Sequence, residues 1–165
     1  MTQEFGVFEP KRFYVEFVRR SFEEFQESPL DVYRVKMAVI QSDTMAERAW
    51  HHFREDSPEK IGHAASARAY RRYLAENECA DFQVVWDVHD GHKHVELERR
   101  PRIVTSASQS GMRQTGEAFD SRAFSEDFDV GVSEAIVILD DGTERKFSEV
   151  LANVVGMWGR LVQEW

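Results

Sequence analysis

The 165-residue sequence predicts an α+β fold, mostly α: a four- to five-helix assembly with a short antiparallel hairpin drawn from its C-terminal half. Three observations predict it. Apolar residues recur at helical spacing through most of residues 10–100. Asp140-Asp141-Gly142 separates two strand-like runs. From Leu151 to Trp165 the chain carries one amphipathic stripe.

The first helix is expected over 10–26, where Phe13, Tyr14, Phe17, Val18, Phe22 and Phe25 form a stripe wide enough to bury more than one face. Ser28-Pro29-Leu30-Asp31 reads as a helix start, with Ser28 as cap and Asp31 closing an acidic capping box. Val32, Val35, Val39, Ala46, Ala49, Trp50 and Phe53 then carry a long helix to about Arg54. Ser57-Pro58-Glu59 repeats the start signal before an Ala- and Arg-rich helix to about Glu76. The next helix begins near Ala80 with Phe82, Val85, Trp86 and His89 on one face. Val84 and Val88 lie on another, which places this helix centrally, covered on two sides. Gly91 leaves two readings open: a helix running on to about Leu97, which the His, Lys and Glu content favours, or an extended segment after Gly91.

Beyond Pro101, Ile103 to Ser106 suggests a short strand, 106–116 a Ser- and Gly-rich loop, and 117–133 a loop pinned by Phe119, Phe124 and Phe128. Ala135 to Leu139 and Thr143 to Phe147 form the hairpin, with Asp-Gly supplying the positive φ of a tight turn. Ser148 is the expected cap of the last helix. Residues 1–165 read as one domain: a helical part over 10–100, a loop and β part over 101–148, and a helix over 149–165 that docks on the core.

Composition narrows the function classes. Apolar residues make up 42% and charged residues 31%, and no run approaches the roughly 18 apolar residues of a membrane span. Glu4 and Glu9 interrupt the opening, against a secretory signal, and Cys79 is the only cysteine; both suit a cytoplasmic protein. The net charge is −9, with most of the acid excess after residue 103, which disfavours bulk DNA binding. Local basic clusters at Arg68, Arg71 and Arg72, and at Arg99, Arg100 and Arg102, leave an RNA contact open, beside their plainer reading as solvated faces. Phosphate-binding glycine loops and the Gly-x-Ser-x-Gly nucleophile turn are absent from the sequence.

The histidines carry the remaining chemistry. His51-His52 and His89-Asp90-Gly91-His92-Lys93-His94 concentrate imidazole and carboxylate, the donors of zinc, iron or manganese sites. His89, His92 and Asp90 are the candidate ligands of a divalent transition metal, in a site built from His89, His92, His94 and either Asp90 or His51. On a continuous helix His89 and His92 share one face and Asp90 and His94 another, so three of them meet only if Gly91 breaks the helix. His89 also lies on the stripe of Phe82, Val85 and Trp86, which suits a core histidine with one hydrogen bond. Asp87 is a candidate partner that orients a histidine. As catalytic candidates, His94 with Lys93 pair an acid/base group with a cation, a combination suited to phosphodiester chemistry.

The order of elements, with Ala49-Trp50-His51-His52 near the end of a long helix and Asp87-Val88-His89-Asp90-Gly91-His92-Lys93-His94 later, resembles small uncharacterised bacterial and phage-associated proteins with an Asp-x-x-(Asn/Asp)-Gly-x-Lys-His stretch. Residues 10–97 also loosely resemble HEPN-type helical bundles, a class that includes RNA-cleaving toxins. That resemblance implies a metal-independent RNA- or nucleotide-acting protein. Its ribonucleases separate an Arg from a following His by four to six residues, whereas Arg48 stands three and four positions before His51 and His52. No catalytic pair is carried over. With no complete catalytic set and a surplus of aromatics at Phe13, Phe17, Phe22, Phe25, Trp158 and Trp165, the leading expectation is a non-catalytic protein-interaction domain without a required cofactor. Its partner is expected to be a protein or a second copy, as in a homodimer.

Overall fold

The computed structural model describes residues 9–93, 102–114 and 133–165. It has the expected α+β architecture, mostly α, with a three-stranded antiparallel sheet in the C-terminal half.

Helix α1 is a continuous helical run from Pro10 to Glu27, α-helical over Pro10–Phe13 and Arg20–Glu27 with a π-helical stretch, Tyr14–Arg19, between them. Its wide stripe buries Phe13, Val18 and Phe25, and the Phe13 and Phe17 rings stack 5.0 Å apart. Helix α2 spans Val32–Phe53. Its cap is Asp31, not Ser28: Asp31 Oδ1 accepts from the N–H groups of Tyr33 at 2.9 Å and Arg34 at 3.4 Å. Ser28 instead ends α1, its N–H donating to the Phe25 carbonyl. Pro29 and Leu30 therefore lie in the turn and leave the helix to begin beyond them.

The start signal at Ser57 produces only a 3-10 turn, Pro58–Ile61. Gly62 and His63 then take left-handed backbone, with φ of 60° and 54°, which stops the helix. Gly62 is required there, since a Cβ would stand 2.7 Å from the Tyr73 ring. A second start at Ser66, whose Oγ accepts from the Ala69 N–H, gives α3, Ala67–Tyr73, which runs on as a π-helical turn, Leu74–Glu78. Helix α4, Asp81–Lys93, passes through Gly91. As its two apolar faces predict, Phe82, Val84, Val85, Trp86 and Val88 are all buried.

Ile103 and Val104 form no strand; their N–H groups donate to Asp87 Oδ2 at 2.9 and 3.2 Å. The expected loop from Ser106 is a capped 3-10 turn, Ala107–Gln109, followed by strand β1, Ser110–Gln114. The Gln109 side chain organises it, accepting from the Thr105 and Ser106 N–H groups and donating to the Ile138 carbonyl. Strands β2, Ser133–Ile138, and β3, Glu144–Lys146, make the predicted hairpin around Gly142 at φ 84°. The sheet order is β1-β2-β3, with Met112 opposite Ala135 and Val137 opposite Arg145. The loop expected over 117–133 falls outside the described residues, except Ser133, which opens β2.

Helix α5, Phe147–Glu164, follows β3 without a linker. Ser148 lies inside its first turn, because extended Lys146 ends the strand and serves as the boundary residue, with no side-chain cap. The stripe docks as expected: Leu151, Val154, Val155, Trp158 and Leu161 are buried, and Trp158 meets Phe82 edge-on at 5.9 Å. Trp158 Nε1 donates to the Ser42 carbonyl at 3.0 Å, fixing α5 across α2. Helix α2 is the hub, in contact with α1, α3, α4 and α5, while β2 and β3 lean on α5. No helix among the described residues is long and apolar enough to cross a membrane.

Candidate functional site

Two polar assemblies and one cleft occupy the ground between α2, α4 and the sheet. The first assembly centres on Asp43, which sits on the apolar stripe of α2 between Val39 and Ala46 and is 1% exposed. Arg71 grips it side-on, Nε to Oδ1 at 2.8 Å and Nη2 to Oδ2 at 3.0 Å, and also reaches Glu47 at 3.5 Å. His89 Nδ1 lies 2.7 Å from Asp43 Oδ2. Burial alone would raise the Asp43 pKa, but the His89 hydrogen bond and the Arg71 charge outweigh it and hold the carboxyl below its ordinary range. Burial likewise opposes the Arg71 charge, and Asp43 overcomes it.

The second assembly ties the strand-free segment to α4. Asp87 accepts from Ile103 and Val104 N–H and from Gln83 Nε2, while Arg102 lies between Asp87 at 3.5 Å and Asp90 at 3.4 Å. Asp87 thus holds the backbone of the segment at 102–104.

The cleft opens where the start of α2 faces β1. Val32, Val35 and Lys36 line one side, Ser110, Gly111 and Met112 the other, with Val88 and His92 from α4 and with Ala135 and Phe147 completing it; its cavity measures about 90 Å³. Lys36 is exposed and forms no ion pair among the described residues. The His92 Nδ1 is buried without a hydrogen-bond partner. Burial first, then the nearby charges of Lys36 and His89, lower the His92 pKa to about 4, so its imidazole is neutral at neutral pH. The rim is apolar and wet: Val32 is 53% and Met112 38% exposed, and Leu30 and Tyr33 flank Val32 at 50% and 69%.

The predicted site residues separate accordingly. His89 is the core histidine with one hydrogen bond that its stripe suggested. His92 lines the cleft, Asp90 turns to Arg102, and Lys93 is exposed at the end of α4. Helical geometry through Gly91 thus sends His89, Asp90 and His92 to three different places: His89 to Asp43, Asp90 to Arg102 and His92 into the cleft. Among the described residues no three of His, Cys, Asp and Glu stand close enough to hold a metal ion. His94, with Arg99 and Arg100, lies outside the described residues. His51 and His52 are exposed on the last turn of α2. Arg68 and Arg72 are exposed, but Arg71 is not part of a basic face: Asp43 draws it into the interior.

Asp43 and Lys36 were not anticipated as site residues. Asp43 carried a readable signal, a carboxylate on an apolar stripe, which requires a buried partner. Lys36 carried none, because nothing local distinguishes it from any solvated lysine. No family model matches the chain, and comparisons with curated proteins and with solved structures find no match either.

Proposed function

We propose that the chain is a non-catalytic protein-interaction domain whose docking site is the cleft between α2 and β1, working in a reducing, cytoplasmic setting that suits its single thiol. One observation carries the reading: among the described residues, two of the large apolar side chains left exposed, Val32 and Met112, face each other across this cleft, and Leu30 and Tyr33, beside Val32 in the sequence, are exposed as well. Apolar surface gathered around a concavity is the pattern of a surface kept for a partner. Among the described residues, two buried carboxylates are engaged in the fold, Asp43 with Arg71 and His89, and Asp87 with backbone amides.

The test replaces two exposed residues, Val32→Glu with Tyr33→Ser, which leave the core untouched. Tagged wild-type and variant chains, expressed in their native cells, are compared for stoichiometric co-purifying protein. The expected result is a partner held by the wild type and lost by the variant, with far-UV circular dichroism and melting temperature unchanged. Identical protein content in both purifications would refute the reading.

A further inference from the structure

We propose that the cleft receives an extended segment of a partner protein, which adds as a fourth strand beside β1, seats one aliphatic side chain in the cavity and sets a carboxylate against Lys36. This rests on the protein-interaction reading above and gives that site its occupant.

The open edge is the first ground. β1 pairs with β2 only, among the described residues, so alternate N–H and C=O groups along Ser110–Gln114 point away from the sheet. Such an edge is a template for main-chain pairing, and a helix lying alongside it turns the edge into a groove with side-chain specificity. Here α2 provides that helix: the cavity is bounded by Ser110, Gly111 and Met112 on the strand and by Val32, Val35 and Lys36 on the helix. An added strand runs about 4.8 Å from its neighbour, here β1, whose Ser110, Gly111 and Met112 line the cavity.

Size is the second ground. A cavity of about 90 Å³ is far below the roughly 300 Å³ at which small-molecule pockets begin. It is also below the ~150 Å³ apolar cavity that holds a benzene. It accommodates one branched aliphatic side chain among Val35, Val88, Ala135 and Phe147.

Charge is the third. Lys36 is exposed at the cleft and has no carboxylate partner among the described residues, in a chain of net charge −9 where most arginines are paired. A carboxylate next to the seated side chain neutralises it. His92 adds a polar atom to the same wall, its buried Nδ1 having no partner. A second copy of the chain suits the site less well, since pairing two bodies of charge −9 opposes itself. One lysine is also too little for a phosphate backbone.

The experiment selects random octapeptides on the full chain, from one display library with free C-termini and one with internal peptides. Enriched peptides are measured by fluorescence polarisation against wild type, Lys36→Glu and Val32→Glu, with amide hydrogen exchange on the complexes. Expected are peptides with an aliphatic residue beside Asp, Glu or the terminal carboxylate, at least tenfold weaker on Lys36→Glu, and slowed exchange at Gly111–Arg113. Enrichment in the first library alone assigns the carboxylate to a chain terminus, and enrichment in both assigns it to a side chain. No enrichment, or binding indifferent to both substitutions, overturns the proposal. Binding lost in Val32→Glu with unchanged exchange in β1 overturns strand addition and leaves the interaction reading standing.

Discussion

Removal of the Asp43 carboxylate is the sharpest stability test of the buried assembly between α2, α3 and α4. In Asp43→Ala, Arg71 loses two hydrogen bonds of 2.8 and 3.0 Å and His89 loses one of 2.7 Å, in a place with almost no access to water. Breaking a buried ion pair by deleting one partner costs about 3–5 kcal/mol, because the other charge remains desolvated. Arg71 keeps Glu47 at 3.5 Å, which softens the loss and puts the expectation at ~3–4 kcal/mol. For a chain of this size that corresponds to a fall in Tm of roughly 8–15 °C. Urea and thermal unfolding followed by circular dichroism at pH 7 measure both. The triple variant Asp43→Leu, Arg71→Met, His89→Leu should recover most of the loss, since apolar groups of similar volume fill a buried ionic site at no net cost. A loss below about 1 kcal/mol in Asp43→Ala, the scale of exposed pairs, would show that water reaches the site and would sink the reasoning.

Other expectations concern pH, backbone and anchoring. His92 is held at about 4 against an ordinary 6.5, so the unfolded chain binds a proton that the folded chain refuses. Its contribution is complete above pH 6.5, is lost as pH falls to about 4 and then levels off. The full shift corresponds to about 3.4 kcal/mol, reduced to ~1–2 by solvent at this half-buried ring, and unfolding titrations of His92→Gln should lack that slope. The Asp43 contribution lies lower, present above its ordinary 3.8 and lost as pH falls through its depressed folded value. Gly62→Ala should cost ~2–3 kcal/mol, from left-handed backbone and the 2.7 Å approach to Tyr73. Gly156→Ala, in an exposed helical position with open space around it, should stabilise by ~0.5–1 kcal/mol; melting curves check both signs. Asp87→Ala should release the segment at 102–104, read as faster amide exchange at Ile103 and Val104, and unchanged exchange there would refute the anchoring role.

Periodicity made most of the helical body legible. Most of the stripes of α1, α2, α4 and α5 are buried where the spacing put them, because a 3.6-residue repeat specifies one face whatever that face meets; Val32, which the spacing put on the α2 stripe, is instead 53% exposed, because the first turn of α2 lies at the open cleft. The hairpin was equally readable, since Asp-Asp-Gly provides the positive φ the turn needs. Boundaries were less so. Ser28 and Asp31 are both good caps, and only the path of the chain out of α1 selects Asp31. Ser57-Pro58 does begin a helical turn, yet Gly62 and His63 end it after one turn, a local conformation favoured by the Tyr73 ring packed against Gly62. β1 was unreadable because an edge strand buries one residue in two, and five residues with a single large apolar side chain leave no pattern.

For the site, residue types alone established that His89 to His94 was rich in chemistry and that His89 shared a core face. What each group does was decided by the tertiary structure. Asp43 and Arg71, 28 positions apart in sequence, become one buried pair and remove Arg71 from the basic cluster it forms on paper. Lys36 becomes notable only once α2 is laid beside β1, with Val32 and Met112 left uncovered around it. The physical reason is that helical and strand repeats are local properties of covalent geometry, written residue by residue. The partner of a charge and the wall of a cleft depend on which distant elements the core brings within a few ångströms.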